Sequence, residues 1–407
     1  LVIVNDIAAY IKEGCKSREN GFYLGIELEH FVIDSCGRSV SYYGGKGVEA
    51  VLKKMSVFYD EEIYSDGHLV GLKGGDLLIS LEPGAQLEIS ISPKAHMSEI
   101  VEAYSRFIDM ALPALKEFGY SLALCGYRPH SKAEDIETIP KKRYRYMEEH
   151  FAAIGPFGRY MMKGTAATQI SIDYYSERDF AEKYMAAVVL APVFSLLCDN
   201  SPVFEGEPNT KPLLRARIWD GVDPERTDIS RHFSLEGVSF EAYAGYAVGV
   251  PLIFRHENGE CIKCGQSFGE VYSGKKASIS EIEHALSMVF PDVRVKKFIE
   301  IRCADSMPIE LSVSYAALIK GLFMDTGALI KCVSELKAGS LSDVAAAKES
   351  IMAYGASGRA YGAEVAVLVR RLFEIAGGNL GKDEREYLRP LESKWKEVLQ
   401  KNAHEKN

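Results

Sequence analysis

Gly21-Phe22-Tyr23-Leu24-Gly25-Ile26-Glu27-Leu28-Glu29-His30-Phe31-Val32-Ile33 decides the fold. With a period of two, Ile26, Leu28 and Val32 point one way, and Glu27 and Glu29 share the opposite pleated face. Two carboxylates so close repel unless a positive charge lies between them. Hard oxygen ligands of this kind suit Mg²⁺, which takes one or two carboxylates and completes its shell with phosphate oxygens. A lone Glu-x-Glu is more often a solvated strand face. Here the pattern recurs. Gln86-Leu87-Glu88-Ile89-Ser90-Ile91 sets Gln86 and Glu88 against Leu87, Ile89 and Ile91. Thr168-Gln169-Ile170-Ser171-Ile172-Asp173 sets Gln169, Ser171 and Asp173 on a polar side. Phe298-Ile299-Glu300-Ile301-Arg302 pairs an acid with a base. Four such strands in one sheet would converge on an acidic floor with room for more than one metal ion.

The strands span residues 22 to 302, which argues for one interwoven unit over the whole 407-residue chain rather than the two or three domains its length suggests. A hydrophobic fraction of 47% supports a large core. The formal charge is −9 and no long basic run is present, so nucleic acid is not an expected partner. The longest apolar run, Ala186 to Cys198, is interrupted by Pro192 and falls short of the ~20 residues a bilayer span requires. No signal-peptide pattern is visible at the start, and the expectation is a soluble cytoplasmic protein. Of the eight cysteines only Cys261-x-x-Cys264 has metal or redox spacing, and no second pair follows it.

Other segments add to the picture. Pro83-Gly84 breaks a strand-like run, which suggests an edge, a bulge or close approach to a ligand. Pro140-Lys141-Lys142-Arg143-Tyr144 opens a helix with cations where the dipole disfavours them, a hint that Arg143 faces an anion. Leu214-Arg215-Ala216-Arg217-Ile218-Trp219-Asp220 reads as an extended run with both arginines on one side, suited to gripping a carboxylate. The polar loop Gly221 to Ser230 is the expected cover. From Val313 onward the chain is nearly all helix, expected to pack behind the sheet.

In order and spacing these motifs resemble the glutamate–cysteine ligases of the plant-type and bacterial branch, relatives of glutamine synthetase. The resemblance runs through Gly25-Ile26-Glu27-Leu28-Glu29-His30, Leu81-Glu82-Pro83-Gly84-Ala85-Gln86-Leu87-Glu88, Pro140 to Tyr144, Thr168 to Asp173, Asn200-Ser201-Pro202, Arg215 to Trp219 and Ile299-Glu300-Ile301-Arg302. It covers roughly residues 5 to 325. It implies an α+β fold: a curved, mostly antiparallel β-sheet cradle of the glutamine-synthetase-like type, backed by helices, with 313–407 a helical region packed on it. It implies ATP-dependent joining of the glutamate γ-carboxylate to the cysteine amine, with ATP, L-glutamate and L-cysteine as partners. Two or more Mg²⁺ ions would be held by Glu27, Glu29, Glu88 and Glu300, with Gln169 beside them. Arg217, with Arg215 as its companion, would hold glutamate. Glu82, Gln86, Arg143 and Tyr144 would lie on the substrate side. Arg302 would face the transferred phosphoryl group, with Glu27 and Glu88 in the catalytic set. Two alternatives remain at this stage: the same fold with another amine acceptor, and a non-catalytic nucleotide-binding relative.

Overall fold

The computed structural model describes residues 2–231, 234–257, 260–336 and 338–404. Nine strands form the main sheet: β1 (Leu24–Ile33), β2 (Glu61–Ser65), β3 (His68–Gly74), β4 (Leu77–Leu81), β5 (Leu87–Lys94), β6 (Ser121–Ala123), β7 (Ala167–Ile172), β8 (Val293–Val295) and β9 (Ile299–Asp305). Their order is β8-β9-β7-β1-β5-β4-β3-β2, with β6 pairing the end of β1. Every pairing in this sheet is antiparallel. The four strands singled out by their alternation are thus neighbours at its centre, in the order β9-β7-β1-β5.

Register fixes what meets what. Glu29 lies opposite Glu88 and Glu27 opposite Ser90 across β1 and β5. Glu27 lies opposite Gln169 across β1 and β7. Directly opposed like charges destabilise a sheet, so the Glu29–Glu88 pair is kept against the interest of the fold. The intervening side chains Ile26, Leu28, Leu87, Ile89, Ile170, Ile299 and Ile301 are all buried on the other face. His30 belongs to that face too. Its Nδ1 and Nε2 sit 3.1 Å from Leu87 O and Tyr104 Oη, and burial lowers its pKa to about 4.

Helices cover the apolar face and the sheet's flanks: α1 (Val2–Lys12), α2 (Met97–Phe118), α3 (Lys142–Ile154), α4 (Glu177–Leu197), α5 (Leu214–Asp220), α6 (Ile309–Phe323), α7 (Leu341–Tyr354), α8 (Val365–Asn379) and α9 (Arg389–His404). The 21-residue α4 is apolar and long enough to cross a membrane by length and composition, unlike the shorter run expected, but it is buried between β9 and α7. The C-terminal helices fall close to their expected places. A short hairpin, Arg359–Ala360 with Ala363–Glu364, stands where a helix from Tyr361 to Ala376 was expected to begin.

The Glu82-Pro83-Gly84-Ala85 break is a tight turn joining β4 to β5. Ala85 N–H donates to Glu82 O at 2.9 Å, and Ala85 itself takes a positive φ of 61°. A Cβ on Gly84 would lie 2.8 Å from Arg128 Nη2, which donates to Gly84 O. Glycine is required there because the Arg128 guanidinium occupies the space.

Candidate active site

The polar face of β9-β7-β1-β5 forms one wall and floor of a hollow of about 250 Å³. Glu27, Glu29, Glu82, Gln86, Glu88, Gln169, Arg143, Tyr144, Arg215 and Arg302 all line it. The charges are segregated. Glu27, Glu29 and Glu88 form an acidic wall on β1 and β5, extended by Glu82 of the turn. Arg215, Arg294, Lys296 and Arg302 form a cationic wall on α5, β8, β9 and the turn between those two strands.

The acidic wall is uncompensated. Among the described residues none of Glu27, Glu29 and Glu88 forms an ion pair. Glu29 accepts Ala167 N–H at 2.9 Å and Gln169 Nε2–H at 3.0 Å, and Glu88 accepts Ser80 Oγ–H at 2.6 Å. Burial, reinforced by Glu82, pushes the Glu29 carboxyl up to about 8. Burial, then Glu300, raises Glu27; burial, then Glu27, raises Glu88 well above the carboxylate range. Carboxylates pushed toward neutrality by burial, and then by one another, are what a bound cation would relieve. No three His, Cys, Asp or Glu side chains among the described residues close on one point. The acids stand instead as pairs along the wall, which suits an ion taking one or two carboxylates and filling its shell with phosphate oxygens.

Glu300 differs from the other acids. Its Oε2 lies 2.6 Å from Arg294 Nε and 2.9 Å from Arg302 Nη1, and its Oε1 lies 3.3 Å from Lys296 Nζ. Although burial opposes it, Arg294, Lys296 and Arg302 hold this carboxyl well below the usual range. In this arrangement Glu300 organises the cationic wall. Arg302 also donates to Gln169 Oε1 at 2.5 Å, joining the two walls through one amide. The β9 register shifts between Ile301 and Ala304, and a bulge there re-aims side chains such as Arg302.

Three expectations meet a different geometry. Leu214 to Asp220 is a helix, α5, not an extended run. Residues two apart on a helix lie on roughly opposite sides. Arg215 therefore lines the hollow while Arg217 turns away, its Nε on Pro212 O at 3.1 Å and its Nη2 on Met352 O. Gln86 lines the hollow, yet its amide is spent on backbone: Oε1 accepts Gly84 N–H, and Nε2 donates to Met162 O and Thr165 O. It pins the turn rather than offering a free group to a substrate. Gly221 to Ser230 does not cover the hollow. It lines a separate, larger groove of about 870 Å³ beside the start of α7, and Arg226 straps it down through Asp223, Met288 O and Pro251 O.

Arg143 stands exposed at the rim, 5.3 Å over the Tyr144 ring, with no ion pair among the described residues. Tyr144 is buried against Leu81 O and Glu82 Oε1. Sequence reasoning missed Arg294 and Lys296, although Arg294-Val295-Lys296 alternates like the strands that were read. It also missed the π-helical turn Tyr160–Gly164, which brings Met161 and Met162 to the wall. A second slot of about 290 Å³ shares Glu27 and is lined mainly by apolar groups, among them Tyr23, Leu77, Leu78, Pro93 and Phe298. The eight cysteines are free thiols; Cys261 lies in the second strand of a small hairpin and Cys264 directly follows that strand.

The architecture is the expected α+β one, an antiparallel sheet backed by helices. It is shared with the glutamate–cysteine ligase of Francisella tularensis in complex with AMP (TM-score 0.59, 11% identity, 93% of this chain and 83% of that one). It is also shared with a bifunctional glutathione synthetase from Pasteurella multocida (TM-score 0.54, 12% identity, 96% and 49%). At these identities the likeness is one of fold. The model of glutamate–cysteine ligase family 2 matches residues 23–394, and the chain belongs to that family. Among curated relatives, the chloroplastic glutamate–cysteine ligase of Brassica juncea is 31% identical over 334 residues, 80% of this chain and 64% of that protein. That of Arabidopsis thaliana is 30% identical, over 80% and 63%. The chain thus spans a little under two thirds of these relatives' length. The cytoplasmic expectation is corrected: the relatives from Brassica juncea, Arabidopsis thaliana and Nicotiana tabacum are chloroplastic.

Proposed function

We propose that this chain joins the γ-carboxylate of L-glutamate to the amine of L-cysteine at the expense of ATP, through a γ-glutamyl phosphate. The observation that carries the reading is the pairing of a buried, uncompensated acidic wall with a cationic wall across one hollow. Family membership and the ligase relatives support it.

A carboxylate is a poor electrophile, and phosphorylation gives it a leaving group. The phosphoryl donor and acceptor are both anions, so the site must gather positive charge where they meet. Arg302, held by Glu300 and Gln169, is placed to neutralise the oxygens that gain charge during transfer. Arg215 and Arg143 hold carboxylate or phosphate oxygens, and Glu82 with Tyr144 shapes the substrate side. Glu27, Glu29 and Glu88 would hold Mg²⁺, with Gln169 beside them. Glu300 would join them only by exchanging its three cationic partners. When bound, Mg²⁺ would screen the triphosphate and polarise the transferring phosphoryl group. The apolar slot that shares Glu27 suits a nucleobase, with the phosphates running toward the hollow. The whole chain acts as one catalytic unit, since the sheet draws on residues 24 to 305 and α7 reaches back to α5.

The test is a mass-resolved product assay with ATP, Mg²⁺, glutamate and mixed amino acids. γ-Glutamylcysteine and ADP are expected. A product from a different amine, with cysteine unused, would replace the acceptor. ATP binding without turnover for any amine would overturn the reading.

A further inference from the structure

Two segments that are not strands complete the hollow. One is the Glu82-Pro83-Gly84-Ala85 turn, through Glu82 and Pro83; the other is the π-helical turn Tyr160–Gly164, through Met161 and Met162. The strands that follow them, β5 and β7, are kept apart by β1. Two side chains reaching in opposite directions hold the turns together. Gln86, at the foot of the first turn, donates from Nε2 to Met162 O at 3.1 Å and to Thr165 O at 2.9 Å. Arg128 reaches the other way. Its backbone N–H donates to Gly164 O at 2.8 Å and its Nε to Lys163 O at 2.7 Å, so it rides with the π-helical turn. Its Nη2 then donates to Gly84 O at 2.8 Å. The two turns clasp each other.

Arg128 is an unusual residue for such a clasp. It is 2% exposed, and among the described residues it makes no ion pair. Carbonyl oxygens and the ring of Phe31, whose centroid lies 4.7 Å from the guanidinium carbon, stand in for a counter-ion. Phe31 belongs to β1, the strand of Glu27 and Glu29. A buried charge without a partner is unfavourable, and an apolar side chain of similar volume would fill the space with less penalty. An apolar side chain cannot hold carbonyls of two segments at one fixed separation, and the planar fork of a guanidinium can. The fit is close: a Cβ on Gly84 would lie 2.8 Å from Arg128 Nη2 and 3.0 Å from Lys163 Cα.

We propose that Arg128 is a positioning residue that seals the hollow where the Glu82 turn meets the π-helical turn, so that the acyl phosphate is reached by the amine and not by water. This deepens the proposed function and rests on it. In the productive step the amine nitrogen bonds to the γ-carbon, the bond from that carbon to the phosphate oxygen breaks, phosphate leaves with the electron pair, and the nitrogen gives up a proton. In the leak a water oxygen makes the bond instead, and glutamate and phosphate are released with ATP consumed. Met161 and Met162 bring apolar groups to this junction, 7% and 1% exposed, and they exclude water only while the clasp holds them in place.

The test follows amide and ADP together, with ATP, Mg²⁺, glutamate and cysteine, or whichever amine the product assay identifies. The wild type is expected to form one amide for each ADP. Arg128→Met keeps the bulk and removes the fork. It is expected to lower the amide formed per ADP about 2- to 10-fold, the range one hydrogen bond is worth, with phosphate release staying within about 3-fold of wild type. Gln86→Met opens the clasp from the other side and is expected to uncouple in the same direction. Arg128→Lys keeps the charge without the fork and is expected to fall between Arg128→Met and wild type. A general loss of packing lowers both rates together and the melting temperature with them. Amide and ADP that stay matched in Arg128→Met and Gln86→Met, whether or not both rates fall, overturn the proposal and leave the ligase reading intact. If Arg128→Met does not fold, Gln86→Met and Arg128→Lys decide on the same ratio. A wild type that forms no amide with any amine overturns the ligase reading, and this proposal with it.

Discussion

Arg215 and Arg217 show what the local backbone conformation does to a reading. Treated as an extended run, they share a side; coiled into α5, only Arg215 reaches the hollow. Seven residues with one β-branched member do not distinguish helix from strand by period. Arg217→Met is therefore expected to leave the glutamate KM within about 2-fold, whereas Arg215→Met raises it at least ~10-fold, because only the latter removes a charge-assisted contact. Steady-state kinetics on the two variants separates them. Glu27 allows a sharper expectation. Its carboxyl is raised by burial and by Glu300, so the charged form costs stability in the metal-free fold. Glu27→Gln should raise the metal-free melting temperature while lowering kcat ~10²-fold or more, the exchange of stability for function common at active sites. A variant that melts lower and still releases phosphate would refute that assignment. The acids of β1, β5 and β9 were legible because period two and repetition both point to them. The commitment of Gln86 to backbone was not, because its partners Met162 and Thr165 lie far along the chain.

At the scale of elements, α7 does more than cover the sheet. Its buried Lys348 donates to Asp220 Oδ1 at 2.5 Å and to Asp292 Oδ2 at 2.9 Å. Asp220 closes α5, which carries Arg215 and Trp219. Asp292 precedes β8, and its carbonyl accepts Arg302 N–H at 2.9 Å. One lysine thus sets the spacing between both arms of the cationic wall. Lys348→Met is expected to cost about 1–3 kcal/mol, less than a fully buried pair because the two aspartates are 47% and 32% exposed. It should also raise the glutamate KM more than the ATP KM. Denaturant unfolding with parallel kinetics checks this, and an unchanged KM would leave Lys348 with a purely structural role. The C-terminal helices were readable from their spacing, but the bridge was not, since Lys348 pairs with residues more than fifty positions away. β8 went unread because three residues are too few to show a period, and its Arg294 and the following Lys296 went with it.

For the molecule as a whole, the acidic wall couples stability to pH and to divalent cation. The Glu29 carboxyl, ordinarily near 4.5, is pushed up to about 8 by burial and Glu82. Between those values the folded metal-free protein holds more protons than the unfolded chain, so it loses stability as pH rises through the window. His30, lowered to about 4 by burial, has the opposite sign between pH 4 and 6.5. It is the same with and without metal and cancels in the difference. Mg²⁺ competes with protons at the acids, so its stabilisation should grow from pH 5 to pH 8, reaching about 3–5 °C at saturation. Differential scanning with and without Mg²⁺ gives the curve; an equal shift at both pH values would place the ion elsewhere.

The convergence of the two walls on one phosphoryl transfer is tested most directly by following an oxygen atom. With glutamate labelled by ¹⁸O in its γ-carboxylate, ATP and cysteine, activation through a γ-glutamyl phosphate carries one labelled oxygen into each phosphate released when the amine attacks. The expected result is phosphate bearing that label, formed in step with ADP and with the amide product. Unlabelled phosphate, or label appearing in AMP, would contradict the account.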